Sequence, residues 1–175
     1  MDEDRLAIRQ LVENRVLWRD AGEWERFATV WDPGGGWMTA TWFQGSGPEF
    51  VEASRRGFDS GVHILHFLGG HTSDVAGDRA VAETKMTINQ RAEVHGVEVD
   101  VACTGRFHDF LARHVGEWKL ARRQPIYEKD RMDRSTRRPP CRWTRSCWAG
   151  SRSATATSPT CRPSSGSRSG TGSPG

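Results

Sequence analysis

Hydrophobic and polar positions divide the chain into a helical opening, a strand-rich middle and a tail with no apolar pattern. Asp2, Glu3 and Asp4 precede an apolar series, as suits a helix N-terminus. Ile8, Leu11, Val12 and Val16, with Trp18, recur at helical spacing and predict a first helix running to about Asp20. Val12, Val16 and Asp20 are four apart, which places a carboxylate on the stripe of two buried valines. Asp20 is therefore either a surface residue of a fraying last turn or a buried group held for a purpose. Gly22 closes this helix. Trp24, Phe27, Ala28 and Trp31 predict a short second helix over Glu23 to Trp31, stopped by Asp32-Pro33-Gly34-Gly35-Gly36. Trp37 to Phe43 predicts a short strand, Gly45 to Pro48 a turn, and Pro48 the start of a third helix through about Phe58.

After Asp59-Ser60-Gly61 the pattern changes to strands joined by tight turns. The run His63-Ile64-Leu65-His66-Phe67-Leu68-Gly69-Gly70-His71 holds three of the six histidines and reads as a buried strand. Leu65 and Phe67 point one way, and Ile64, His66 and Leu68 the other. Turns are predicted at Val75 to Asp78, Glu93 to Gly96 and His114 to Gly116, with alternating strands between them and a last strand through Trp118, Leu120 and Ile126. Helices followed by a four-stranded antiparallel meander, plus the short strand, give an α+β fold with helices covering one face of a curved sheet. Such a sheet wrapped over a helix leaves a cavity at its open end. An inward histidine near that mouth is either a satisfied core residue or a base, since its ordinary pKa of about 6.5 suits it to accept protons near neutrality.

Composition separates the tail from the domain. From Arg134 to Gly175 the chain uses only Arg, Ser, Thr, Pro, Cys, Trp, Ala and Gly. The tail carries eight of the 25 basic residues and none of the 22 acidic ones, so the pI of about 8.9 comes from the tail while residues 1–133 are net acidic. All eight residue types have codons with G or C at the second position, as expected when a GC-rich gene is read out of frame. We therefore expect two parts: a folded domain over 1–133, and an out-of-frame, disordered Arg/Ser/Pro-rich tail over 134–175. A genuine basic tail that binds nucleic acid by charge is the competing reading. Three of the four cysteines fall in the tail and only Cys103 in the domain, which excludes an intradomain disulfide or a thiolate zinc cluster. No apolar run approaches the ~18 residues of a membrane span and no leader is evident, so the expected location is cytoplasmic. No His/Asp/Glu set has metal-ligand spacing, and no phosphate loop or dinucleotide fingerprint occurs, so neither metal nor cofactor is expected.

Four segments, Asp20-Ala-Gly-Glu-Trp-Glu-Arg-Phe27, His66-Phe-Leu-Gly-Gly70, Gly77-Asp-Arg-Ala80 and Gly116-Glu-Trp-Lys119 followed by Arg123, together resemble the SnoaL-like branch of the nuclear-transport-factor-2-like superfamily. The resemblance implies a cone of a long helix and a bent sheet with the active site inside. It is nearest in function to scytalone dehydratases and hexachlorocyclohexane dehydrochlorinases, in which an Asp after the first helix pairs with a His on the strand opening the sheet. Asp20 and His66 occupy those positions. By that resemblance His66 is a general base oriented by Asp20. Arg123 matches a cationic position that could stabilise a developing anion, or it is a strand-edge arginine paired with an acid. The substrate-facing set expected around the pair is Arg19, Trp24, Thr39, Asn89, Phe107 and Tyr127. The dehydratase pattern places tyrosines where Arg19 and Thr39 stand, a histidine at Asn89 or Gln90, and an asparagine at Phe107. The chain therefore keeps the Asp–His pair without the carbonyl-binding set, and scytalone is not the expected substrate.

The expected activity is that of a cofactor-independent lyase acting on a small apolar or polycyclic molecule, or an isomerase using the same pair. The alternatives are a non-catalytic small-ligand or dimerisation module, which this fold also serves, and a dioxygenase small subunit, against which the retained pair argues. The expected partners are a small-molecule substrate and further copies of the chain in a dimer or trimer, with no specific nucleic acid and no membrane.

Overall fold

A computed structural model describes residues 2–135. The expected disordered tail lies almost wholly outside the described residues. The last strand continues to Arg134, and the Ser135 backbone N–H donates to the Glu98 carbonyl at 2.9 Å.

Three helices come first: α1 (Asp2–Ala21), α2 (Trp24–Ala28) and α3 (Gly47–Asp59). On α1 the apolar stripe is buried as its spacing requires, through Ile8, Val12 and Val16. Asp4 ties the start of this helix to the far end of the sheet, accepting hydrogen bonds from the Trp118 indole at 3.0 Å and from Arg113. A capping box starts α3. The Ser46 backbone N–H donates to the Glu49 carboxylate at 2.8 Å, and the Ser46 hydroxyl accepts from the Glu49 N–H at 3.4 Å. Gly47 has no side-chain room, because a Cβ there would sit 2.5 Å from the Trp31 ring.

The sheet has six strands: β1 (Trp37–Thr39), β2 (Gln44–Ser46), β3 (Ile64–Ala76), β4 (Arg79–Val94), β5 (Val97–His114) and β6 (Glu117–Arg134). Their order is β2-β1-β6-β5-β4-β3. The four-stranded meander is as predicted. The single short strand over Trp37 to Phe43 is instead a small hairpin, because the Ala40 N–H bonds to the Phe43 carbonyl and turns the chain early. Part of the predicted turn at Gly45 thus becomes strand β2, and β1 joins β6 in parallel through Trp37 and Met38.

Three irregularities bend the sheet into the cone. Gly69 and Gly70 form a bulge in β3, and the β5–β6 register shifts at Thr104/Gly105 and at Phe110/Leu111. Gly105 is required at its bend, since a Cβ there would collide with the Ile126 carbonyl oxygen. The core has two parts. The larger packs Ile8, Phe27, Phe50 and Val51 of the helical layer against Ala80, Ala82, Leu111 and Leu120 of the sheet. The smaller, Val16 with Met86 and Phe107, lies under the open end. The stretch read as a buried strand is half-buried along its inner face at Ile64, His66 and Leu68, with Leu65 and Phe67 exposed on the outer face.

Candidate active site

The end of α1 and the start of β3 meet at the mouth of the cone, and with them Asp20 and His66. The two carboxylate oxygens of Asp20 have separate partners on one residue. Oδ1 lies 2.7 Å from the His66 Nδ1, and Oδ2 accepts from the His66 backbone N–H at 2.7 Å. The backbone bond locks the strand to the helix end, and the ring bond then fixes the imidazole. Because an ionised carboxylate only accepts, Nδ1 carries the hydrogen and Nε2 is left to take a proton. The His66 side chain is 5% exposed and that of Asp20 14%. Burial lowers the His66 pKa from 6.5 to about 4; the Asp20 hydrogen bond and charge pull the other way, and Arg15 and Arg19 add to the lowering. The imidazole is neutral at pH 7, as a base must be before it acts.

His66 faces a cavity of about 350 Å³. Pairing across the sheet explains its company: His66 lies opposite Ile88, and Ile88 opposite Cys103, so all three point inward. Phe107, Tyr127, Gln90, Arg19 and Arg15 complete the wall around them, and Asp130 stands exposed at the rim. Burial pushes the Tyr127 phenol above its usual pKa, helped by Cys103 and Asp130. A second hollow of about 360 Å³ adjoins the first through Arg19, Trp42, Ile64 and Gln90, and extends toward Trp24 and Phe58. Arg19 stands between the two, its Nη1 3.7 Å from the Asp20 Oδ1.

Of the residues expected around the pair, Arg19, Phe107 and Tyr127 line the His66 cavity and Trp24 lines the adjoining hollow. Thr39 sits on β1 with its hydroxyl buried and unbonded, and is not among the lining residues. Asn89 is a correction. It pairs with exposed Leu65 and so faces outward, while its neighbour Gln90 faces in, the one-residue parity of a strand deciding between them. Arg123 is the second. Its Nε and Nη2 donate to both oxygens of Asp109 at 2.6 Å, and both side chains are wholly buried. The acid pairing is what the structure shows, in the core rather than at a strand edge, and Arg123 does not line the His66 cavity. Three of the remaining histidines have partners other than Asp20 and His66. His71 hydrogen-bonds the Thr84 hydroxyl at 2.8 Å, His108 meets Glu83 at 3.0 Å, and His63 packs edge-on to Phe58.

The residue missed by sequence reasoning is Arg15. It is 1% exposed, lies on the cavity wall, and has its guanidinium carbon 5.5 to 5.6 Å from the ring centres of Phe27, Phe50 and Phe107. The signal was there: a charged residue three positions after Val12, on the buried side of the helix and one turn before Arg19. Among the described residues no cluster of His, Cys, Asp and Glu is built to hold a metal ion, and no helix is long and apolar enough to cross a membrane.

A curved sheet is thus folded over a long helix, with the His66–Asp20 pair at its mouth. The chain belongs to the SnoaL-like domain family, whose model matches residues 2–124. It is 38% identical over 135 residues to Pea pathogenicity protein 2 of Fusarium vanettenii, covering 74% of this chain and 56% of that protein. The chain thus spans little more than half the length of this relative. Among solved structures it resembles a type 2 hexachlorocyclohexane dehydrochlorinase (LinA), with a TM-score of 0.68 and 16% identity over 82% of this chain and all of that one. A scytalone-dehydratase-like protein from Novosphingobium aromaticivorans matches with a TM-score of 0.60 and 18% identity, over 71% of this chain and 84% of that one. At these identities the structural likeness shows the fold.

Proposed function

We propose that this protein is a cofactor-independent lyase of the dehydratase or dehydrohalogenase type, with His66 as general base and Asp20 as its orienting carboxylate. The observation that carries this reading is the 2.7 Å contact between the half-buried Asp20 carboxylate and a buried imidazole that lines a cavity of mixed apolar and cationic walls. A pair held for structure alone has no need of a hollow beside it. The neutral Nε2 takes a proton from a substrate carbon activated by a neighbouring electron-withdrawing group. The carbon–hydrogen bonding pair becomes a new double bond, and halide or hydroxide leaves from the adjacent carbon. Asp20 steadies the imidazolium formed in that step. The cavity of about 350 Å³ suits a small mono- or bicyclic substrate. If the proton is returned to another carbon, the same groups perform an isomerisation.

The test is turnover of a panel of small cyclic β-hydroxy and β-halo carbonyl compounds, followed by proton exchange with solvent deuterium. Exchange at the carbon next to the activating group, abolished in His66→Ala, supports the base assignment. Exchange that survives His66→Ala contradicts it. Elimination with release of water or halide supports the lyase, and deuterium appearing at a second carbon of an isomeric product supports the isomerase.

A further inference from the structure

Charge inside the cone does not balance. Asp109 is consumed by Arg123, and Asp20 is shared between neutral His66 and the more distant Arg19. Among the described residues Arg15 makes no ion pair of its own, and the Asp109 and Asp20 charges act on it only from farther away. Its Nε and Nη1 are buried with no hydrogen-bond partner, and three phenylalanine rings surround it. Aromatic faces attract a guanidinium without neutralising it, and an unpaired buried charge is costly in an empty protein. Asp130 at the cavity rim is exposed and hydrogen-bonds Cys103, and it is not among the charges that act on Arg15. With the rest of the side chain sealed, the space that can bring a counter-charge to Arg15 is the cavity it shares with His66.

We infer that this cavity takes an anionic substrate, an aromatic or alicyclic carboxylate whose charged group is seated against Arg15, with Arg19 as the second cation of the same wall. The apolar lining from Ile88, Phe107 and Phe50 then holds the ring, and the carboxylate sets which ring carbon faces His66. This assignment rests on the reading of the cavity as the active site, and narrows the substrate class from apolar molecules at large to acids. Arg15 is thereby a binding residue, and its charge serves the ligand rather than the fold.

Calorimetric titration with naphthoate and with naphthamide, which differ in charge and hardly in shape, tests it. The wild-type protein should bind naphthoate roughly tenfold or more tightly than the amide, as a charged hydrogen-bonded contact requires. Arg15→Met should abolish that preference, and Arg15→Lys should keep part of it. Equal binding of the two probes, binding of neither, or a preference that survives Arg15→Met would each overturn the assignment. A second measurement needs no ligand. Removing an unpaired buried charge should raise the melting temperature of the empty Arg15→Met protein, whereas a lower one would make Arg15 a structural brace and sink the inference. The charge preference is also measured in His66→Ala. Preference retained there while no wild-type turnover is found removes the lyase reading alone; turnover without preference removes this one alone.

Discussion

Two carboxylates lie inside the cone, and they are held in opposite ways. Asp109 on β5 faces Arg123 on β6 directly across the strand pair, and both its oxygens are spent on one guanidinium at 2.6 Å. Neither side chain touches solvent or the His66 cavity. Asp20 also spends both oxygens, but its hydrogen bonds go to one histidine, with Arg19 farther off, and that histidine's other ring nitrogen stays uncommitted to the pair while its ring forms part of a cavity wall. The first pair is closed and can only hold two strands in register. The second is open on one side, and a proton can arrive there. Burial and a short hydrogen-bonded contact to a carboxylate are common to both; what separates a bracing pair from a reactive one is whether a partner atom still faces the cavity.

Several substitutions break or sharpen that contrast. The largest effect is expected at the open pair. His66→Ala or Asp20→Asn should lower turnover by about 10²–10⁴-fold, as loss of a positioned base does, while circular dichroism stays that of the wild type. At the closed pair the loss falls on stability instead. Asp109→Ala strands a buried guanidinium and should cost about 3–5 kcal/mol in urea unfolding, whereas the double variant Asp109→Leu/Arg123→Leu should recover most of it. If the double variant is as unstable as the single one, the closed pair is more than a charge-balanced brace.

The next effect is in pH. His66 has its pKa lowered to about 4 in the fold, against an ordinary 6.5 when unfolded. Between those values the unfolded chain binds the proton and the folded one does not. The contribution is therefore whole above pH 6.5 and is lost as the pH falls toward 4, amounting to about 3 kcal/mol. His66→Phe should flatten that part of the stability profile, and an unchanged slope would contradict the burial of a neutral ring. The smallest effect lies far from both pairs. Val115 in the β5–β6 turn has a φ of 49° and is 90% exposed, a left-handed conformation that a β-branched residue adopts at a cost. Val115→Asn should stabilise the protein by about 1 kcal/mol.

The contrast between the two carboxylates was only half legible in the sequence. Asp20 could be placed because Val12 and Val16 precede it at fixed helical intervals, and His66 because strand alternation sets it opposite Leu65 and Phe67. Both arguments are local. Asp109 with Arg123 could not be foreseen, because their meeting depends on the β5–β6 register, and two irregularities shift that register along the strand pair. The same parity problem hid Gln90 behind Asn89. Arg15 was missed for another reason. On an amphipathic helix a basic residue at the edge of the apolar stripe reads as solvated, and only the three rings contributed by α2, α3 and β5 enclose it. The breadth of the fold followed from periodicity: three helices, then a meander. The Ala40 to Phe43 turn that splits the short strand did not, since four residues carry too little pattern to distinguish strand from hairpin.

The central claim is that burial keeps the His66 ring neutral while Asp20 holds its hydrogen on Nδ1, leaving Nε2 ready to accept a proton. Nitrogen NMR of histidine-labelled protein across pH measures this without any substrate. The account predicts one ring that stays in the Nδ1–H form from neutrality down to about pH 4 and loses that form in Asp20→Asn. A His66 ring that titrates near 6.5, or that carries its hydrogen on Nε2, would contradict it.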